Sequence, residues 1–355
     1  MSSSHPYRDF PNKAFWNRSM KGVAASDADP VGEVKFRIGP DDRIVTAGSC
    51  FAQHIAKRLK ANGFNFLVTE PGHPLLSPQD ANAMNYGVFS ARYGNIYSSR
   101  QLLQLLQRVD GSHVPVDDVW QGDGYWIDPF RPQIQPEGFP SHAACRKDRE
   151  SHFAAVRRAL TEMDVFIFTF GLTEIWRDRR DGSVYPLAPG VAGGRFDYSI
   201  HEFLNLGVRE VEKEMEEALG LIRAINPRCR VIFTVSPVPL MATASGHHVL
   251  VATTYSKAVL RVAAEELSAN DAAICYFPSY EIITGNHARG AYFGADARSV
   301  TNAGVDHVMR LFFRHFAGLE TVAGSAEKAP LPDRHSQEME ELAEANCDEE
   351  ALDRA

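Results

Sequence analysis

The sequence predicts an α/β fold, a three-layer α/β/α sandwich around a mostly parallel sheet. Four apolar runs rich in β-branched and aromatic residues are typical of buried strands, and they lie at 43–47, 164–170, 230–235 and 272–277. Segments with helical periodicity separate these runs, and such alternation is typical of a parallel sheet covered on both faces. With 355 residues, 44% of them hydrophobic, the chain can bury one large core.

Periodicity and cap residues predict the helices and the connections between them. Apolar residues at helical spacing predict helices at about 51–60, 98–108, 148–162, 201–225, 255–268 and 302–316. The pair Asp181-Gly182 predicts a hairpin turn. The connection 109–147 is long for a compact domain, and a connection of that length often has a function or covers a site.

The chain divides into an arm, a body and a tail. Residues 1–35 are polar with interspersed aromatic residues, and we expect them to form an arm against the body at 36–318. The segment 323–355 is acidic and poor in apolar residues, a composition that predicts disorder. Ten acidic and three basic residues lie between Glu327 and Ala355, so this tail accounts for most of the formal net charge of −8.

Composition excludes several classes of partner. There is no basic stripe or basic-aromatic motif, so we expect no nucleic-acid partner. No apolar run approaches the roughly 20 residues of a membrane span, and the first residues lack the apolar part of a secretory signal. We therefore expect a cytoplasmic protein. The five cysteines are scattered without metal-ligand spacing, so we expect neither a metal nor a cofactor. The oligomeric state is not predicted.

The turn after the first predicted strand is the strongest candidate for a chemical site. Gly48-Ser49 ends the strand, and the helix that starts at Phe51 follows directly. This order of elements places a hydroxyl beside the free N–H groups of a helix start, as acyl-transfer enzymes place a nucleophile. A serine at such a position is also the commonest kind of helix cap. The local pattern leaves both roles open for Ser49.

The same turn carries a family resemblance. Residues 48–52 read Gly-Ser-Cys-Phe-Ala, the signature of the GSCFA family, and the chain resembles that family over roughly 36–318. GLTEIW at 171–176, SPVPL at 236–240 and YFPSYEII at 276–283 resemble its other recurring blocks. The family is similar to the SGNH (GDSL-like) hydrolases, a three-layer α/β group of esterases and acyltransferases. The resemblance implies that fold and that chemistry.

The resemblance also implies a set of site residues. Ser49 matches the nucleophile, and the N–H groups of Ser49 and Cys50 would help to hold the oxyanion. A second block of oxyanion donors falls in 85–99, where Gly87, Gly94 and Asn95 are the candidates. The third block, usually Gly-x-Asn-Asp, matches Gly171 to Glu174. Thr173 stands where the family pattern has Asn, and Glu174 could orient a neighbour or cap the next turn.

The last block departs from the SGNH pattern. Such enzymes carry Asp-x-x-His followed by a Gly at the start of the final helix. Gly304 fixes the register here, so Asp296 is present but Ser299 occupies the position of the general base. Serine without an adjacent base is a weak nucleophile. His247, His248 and His287 lie in predicted loops near the carboxyl ends of strands and are the alternative bases.

Two hypotheses of different class remain. The first is a serine ester hydrolase or O-acyltransferase that acts on a small-molecule or carbohydrate-linked acyl ester, with Ser49 as nucleophile. The second is a fold of the same kind that has lost catalysis and serves as a ligand-binding or regulatory module. The substitution at Ser299 is the feature that separates them, because a triad member is rarely dispensable.

Overall fold

The computed structural model describes residues 5–319 and 348–353. Its strands are β1 Ile44–Gly48, β2 Trp120–Gln121, β3 Trp126–Ile127, β4 Val165–Phe170, β5 Glu174–Asp178, β6 Val184–Tyr185, β7 His201–Asn205, β8 Arg230–Val235 and β9 Ile274–Tyr276. Its α-helices are α1 Trp16–Ser19, α2 Phe51–Ala61, α3 Pro78–Ala83, α4 Ser99–Asp110, α5 His142–Glu162, α6 Val208–Ile225, α7 Val249–Ala269, α8 Ser279–Thr284 and α9 Asn302–Phe312.

The central sheet is parallel, with the strand order β1-β4-β8-β9. Its strands are apolar on both faces, because each face is covered by helices. Odd residues of β4 such as Val165 and Ile167 pack with α2, α8 and α9. Even residues such as Phe166 and Phe168 pack with α4, α5, α6 and α7. The predicted three-layer α/β/α sandwich with a mostly parallel sheet is confirmed. Among the described residues, no helix is long and apolar enough to cross a bilayer.

The register of the sheet brings three strand ends to one level. Gly48 at the end of β1 is paired with Thr169, and Phe170 at the end of β4 is paired with Val235. In open α/β sheets, ligands bind outside the carboxyl ends of the strands. The turns that follow β1, β4 and β8 therefore share one crevice.

A second, antiparallel sheet follows β4 directly and has the order β6-β5-β7. The predicted hairpin at Asp181-Gly182 joins β5 to β6, as the pairing of Arg177 with Val184 shows. The predicted helix over 201–225 is wrong in its first part, because His201–Asn205 pair with β5 as a strand. Helix α6 begins after Gly207. The Gly207 N–H donates to the Glu210 carboxylate, and this contact caps the start of the helix.

The arm and the tail contact the body in the described residues. The Ala28 carbonyl accepts a hydrogen bond from His307 on α9, and Asp29 pairs with His315. For the tail, residues 320–347 lie outside the described residues. Asp348–Asp353, which the composition assigned to a disordered segment, form a 3₁₀ helix against the crevice. The Asp348 N–H donates to the Tyr97 hydroxyl, and the Arg298 guanidinium donates to the Glu349 carboxylate. These contacts hold the turn in place, and the composition of the segment does not encode them.

The long connection before α5 contains a buried ionic cluster. The Asp128 carboxylate is fully buried and accepts hydrogen bonds from Arg131 at 3.0 Å and from Arg149 at 3.2 Å. Arg131 also pairs with Asp148 on α5 at 2.8 Å. Burial raises the pKa of Asp128, but the guanidinium groups outweigh it and hold the pKa below its usual range. The cluster ties the connection 111–141 to α5.

Replacing Asp128 by Asn should destabilise the fold, because it leaves buried guanidinium groups without their carboxylate. We expect the free energy of unfolding to fall by about 3–5 kcal/mol at pH 7, measured by urea denaturation. The deficit should narrow below about pH 4, because a depressed pKa contributes stability above its unfolded value of 3.8 and loses it on acidification. The exposed Asp123→Asn should change stability by less than about 0.5 kcal/mol. Equal losses in both variants would contradict this account.

Candidate functional site

The Gly48-Ser49 turn depends on a close approach of two backbones. A Cβ on Gly48 would lie 2.3 Å from the carbonyl oxygen of Thr169, and Gly48 has φ +134°, a conformation that side chains rarely adopt. The Ser49 N–H donates to the same carbonyl at 3.0 Å. Glycine is thus required at position 48, and the turn fixes the direction in which Ser49 leaves the sheet.

Backbone hydrogen bonds join three separate turns around Ser49. The Ile96 N–H donates to the Gly48 carbonyl at 2.8 Å, and the Gly171 N–H donates to the Tyr97 carbonyl at 2.8 Å. A Cβ on Gly171 would lie 3.1 Å from that of Ser49, tighter than most such contacts, so a larger residue there would require its neighbours to shift. The blocks that resemble the GSCFA family therefore meet at the carboxyl edge of the sheet.

Ser49 lies in a small, partly open cavity. The residue is 2% exposed, and its Oγ has no hydrogen-bond partner among residues 5–319 and 348–353. The cavity holds about 10 Å³, which is at the limit for a single water molecule. The residues that line it include Ser49, Cys50, Tyr97, Gly171, Lys257 and Glu349. A buried hydroxyl without a partner is costly, and such atoms in native proteins usually have a function or an unseen partner.

The pair Asp296 and Ser299 lies outside this lining. The Ser299 Oγ donates to the Asp296 carboxylate at 2.5 Å, and the Ser299 N–H donates to the same side chain at 2.9 Å. Asp296 is exposed and Ser299 is half-buried. The structure therefore pairs the two residues with each other and does not bring Ser299 to the Ser49 hydroxyl.

None of the described histidines lines the Ser49 cavity. His247 and His248 are exposed, and His248 accepts a hydrogen bond from the Leu250 N–H as the cap of α7. Burial lowers the pKa of His287 in its loop before Asp296. His54 on α2 is buried against Phe51, and burial lowers its pKa to about 4. The structure brings none of the alternative bases to the nucleophile position.

Two basic residues that we did not predict lie at the crevice. Lys257 on α7 is 2% exposed, and its Nζ donates to the Gly171 carbonyl at 2.5 Å. Arg298 donates to the Pro239 carbonyl at 3.2 Å and to the Glu349 carboxylate at 3.2 Å. Lys257 shares the helix face of Leu260 and Ala264, at spacings of three and seven residues, so its burial could be read from the sequence. No comparable signal exists for Arg298, which lies in a loop.

Four of the predicted oxyanion residues lie at the crevice, and two have partners elsewhere. The four are Cys50, Gly94, Asn95 and Gly171, and the two are Thr173 and Glu174. Cys50 and Gly171 line the cavity with Ser49, while the Ser49 N–H is already donated to Thr169. Asn95 accepts from Gln53 Nε2 at 3.1 Å and donates to Asp348 at 3.2 Å.

A second cavity lies beside these residues. It holds about 230 Å³, and Gly94, Asn95, Asp348 and Glu350 line part of it. Residues Phe130 and Arg131 of the long connection line it as well, so that connection forms a wall of the crevice.

Thr173 and Glu174 have structural partners away from Ser49. The Thr173 hydroxyl is buried and donates to the Asn205 side chain at 2.6 Å, across the antiparallel sheet. The Glu174 carboxylate accepts from the Thr243 hydroxyl at 2.6 Å and from the Ala244 N–H at 3.2 Å. These contacts hold β7 and the loop after β8 to the turn that follows β4. Among residues 5–319 and 348–353, no group of three or more His, Cys, Asp or Glu side chains is placed to hold a metal ion.

The fold and the crevice define an α/β protein with a buried serine at the carboxyl edge of a parallel sheet. The chain belongs to the GSCFA family, whose model matches residues 43–312. That range contains the Ser49 turn, the Asn95 and Gly171 turns, Lys257 and Arg298. No curated protein matches the sequence.

The close approach at Gly48 predicts the effect of its replacement. We expect Gly48→Ala to lower the free energy of unfolding by more than about 4 kcal/mol or to prevent folding, because the new Cβ meets the backbone of β4. Gly63→Ala is the matched control, since Gly63 has φ +76° but a Cβ added there would meet no atom within 4 Å. It should cost only about 1–2 kcal/mol. Urea denaturation that gave equal costs would contradict a steric role.

The contact of Thr173 with Asn205 predicts a structural role for its hydroxyl. Thr173→Val keeps the shape but leaves the half-buried Asn205 oxygen without its donor, and it should lower the free energy of unfolding by about 1–3 kcal/mol. Thr173→Ser keeps the donor and should recover that part of the loss. A Val variant that unfolds like the wild type but loses ester turnover would instead identify Thr173 as an oxyanion donor.

Proposed function

We propose that this protein is a serine-dependent acyl-ester hydrolase or O-acyltransferase with Ser49 as its nucleophile. The observation that carries the proposal is the buried Ser49 Oγ, which has no partner and faces a cavity at the end of β1. Lys257 is the basic side chain that lines the same cavity. Pairs of serine and lysine are a known alternative to the serine-histidine pair. The similarity of the family to SGNH hydrolases supports the same chemistry, including action on carbohydrate-linked esters.

The proposed reaction has two balanced stages. Ser49 Oγ attacks the acyl carbon while its proton passes to the Lys257 amine, which has to be deprotonated before this step. The bond between the acyl carbon and the alkoxy oxygen then breaks, and the departing alcohol takes the proton from Lys257. Water or an acceptor hydroxyl attacks the acyl-enzyme in the same way, releasing the acid or the new ester and restoring Ser49. The Cys50 N–H and the Asn95 amide are the candidate oxyanion donors, whereas the Ser49 N–H is held by the Thr169 carbonyl.

A binding module without catalysis is the second candidate. The observation that favours it is the lack of an imidazole among the described residues that line the Ser49 cavity. The two candidates differ in one measurable property, the reactivity of the Ser49 hydroxyl.

Covalent trapping tests that reactivity directly. A fluorophosphonate should transfer its phosphonyl group to Ser49 of the full chain and release fluoride. Peptide mass spectrometry can locate the modified serine. It should also hydrolyse short-chain nitrophenyl esters. Ser49→Ala should lose at least about 1,000-fold in ester turnover, because the residual rate comes from binding alone.

The base is tested with a pair of lysine variants. Lys257→Met removes the amine at similar volume and should lower turnover by about 100-fold or more. Lys213→Met, on the exposed face of α6, should keep the wild-type rate. Ser151→Ala, on the exposed face of α5, is the matched control for Ser49→Ala. Absence of both trapping and turnover in the wild type and in Glu349→Gln, which loosens the turn beside Ser49, would favour the binding module. Turnover that persists in Ser49→Ala would exclude Ser49 as nucleophile.

A further inference from the structure

The turn Asp348–Asp353 occupies the crevice above Ser49. The Asp348 N–H donates to the Tyr97 hydroxyl at 3.0 Å, and its carboxylate accepts from Asn95. The next residue, Glu349, is 6% exposed and lines the Ser49 cavity. Residues 348–353 therefore contact the Asn95 and Tyr97 turn of the candidate active site.

This turn separates the two cavities of the crevice. Glu349 lines the small cavity at Ser49, whereas Asp348 and Glu350 line the neighbouring cavity of about 230 Å³. With the turn in place, the space beside the Ser49 hydroxyl is about 10 Å³, too small for an acyl group. Glu349 is one of the residues that would have to move for an acyl group to fit beside Ser49.

Arg298 recognises the acid of this turn. Its guanidinium lies 3.2 Å from the Glu349 carboxylate, and the side chains are only 14% and 8% exposed. The Pro239 carbonyl, which accepts another guanidinium N–H, orients the arginine. Burial raises the pKa of Glu349, and Arg298 acts against that rise. Arginine is the residue of choice for buried ion pairs with carboxylates, because its planar guanidinium matches their geometry.

We propose that the Ser49 crevice binds an acid-bearing ligand through Arg298, and that Asp348–Asp353 is a tethered competitor for this place. The unpartnered Ser49 Oγ, beside the cavity wall formed by Glu349, is the independent sign that a ligand group belongs there. Because the turn is part of the same chain, its binding is intramolecular and does not depend on protein concentration. The binding of an acid in the crevice does not depend on the chemistry of Ser49. That the acid belongs to a substrate rests on the proposed function above.

Hydrogen exchange measures the docking of this turn without any need for catalysis. Exchange of a peptide that covers residues 348–353 should be slow in the full chain. Glu349→Gln and Arg298→Gln remove the ion pair, and each should accelerate exchange by about tenfold or more, the effect of losing a charged hydrogen bond. Glu216→Gln makes the same change on an exposed side chain of α6, away from the turn, and should leave the rate near that of the wild type. Equal exchange in the wild type and Glu349→Gln would overturn the proposal.

The ligand class is tested with two small probes. Succinate should displace the turn and accelerate its exchange, whereas uncharged succinamide at the same ionic strength should not. Ser49→Ala should respond to succinate as the wild type does. If it does so while no ester is turned over, the acid site stands and the acyl-transfer proposal fails. If succinate and succinamide act alike, the acid site is overturned, whatever the result of the ester assays.

Discussion

The backbones of Gly48 and Thr169 approach so closely that no side chain fits between them, and the rest of the crevice depends on this contact. It sets the level at which β1 ends and turns Ser49 out of the sheet into α2. The carbonyl of Gly48 then accepts the Ile96 N–H, which fixes the Asn95 and Tyr97 turn. The Tyr97 carbonyl in turn holds Gly171. One glycine thus begins a chain of hydrogen bonds that assembles three segments distant in sequence.

Local signals predict the layers of this fold well. The apolar runs at 164–170 and 230–235 are long enough, and rich enough in β-branched residues, to read only as buried strands. Gly48-Ser49 at a strand end predicts a tight turn into a helix. The helix predicted at 201–225 failed because its first residues pair with β5, a partner that lies far away in sequence. Strand formation depends on such partners more than helix formation does.

The site was only partly predictable, for a physical reason. Residues at strand ends, such as Ser49 and Gly171, follow from chain order, because parallel strands end at one edge. Arg298 comes from a loop, and Glu349 lies far along a segment whose composition predicts disorder. Neither has a periodic pattern that places it. Asp296 and Ser299 keep the sequence spacing of an acid and its partner, but the structure pairs them with each other by a hydrogen bond. The basic residue that lines the Ser49 cavity is Lys257.

No imidazole lies among the described residues that line the Ser49 cavity, and the acidic turn 348–353 covers that cavity. Both features bear on the reactivity of Ser49. A serine that is 2% exposed beneath an acidic turn would be slow towards external esters whatever base serves it, because the turn must leave first. Arg298 bears on both the closure of the crevice and the choice of ligand. Its guanidinium pairs with Glu349 of the turn, and we propose that it pairs in the same way with an acidic ligand. A ligand with an acid near its ester would open the crevice by the same contact that binds it. Uncharged esters lack this contact and meet the protein in its closed state.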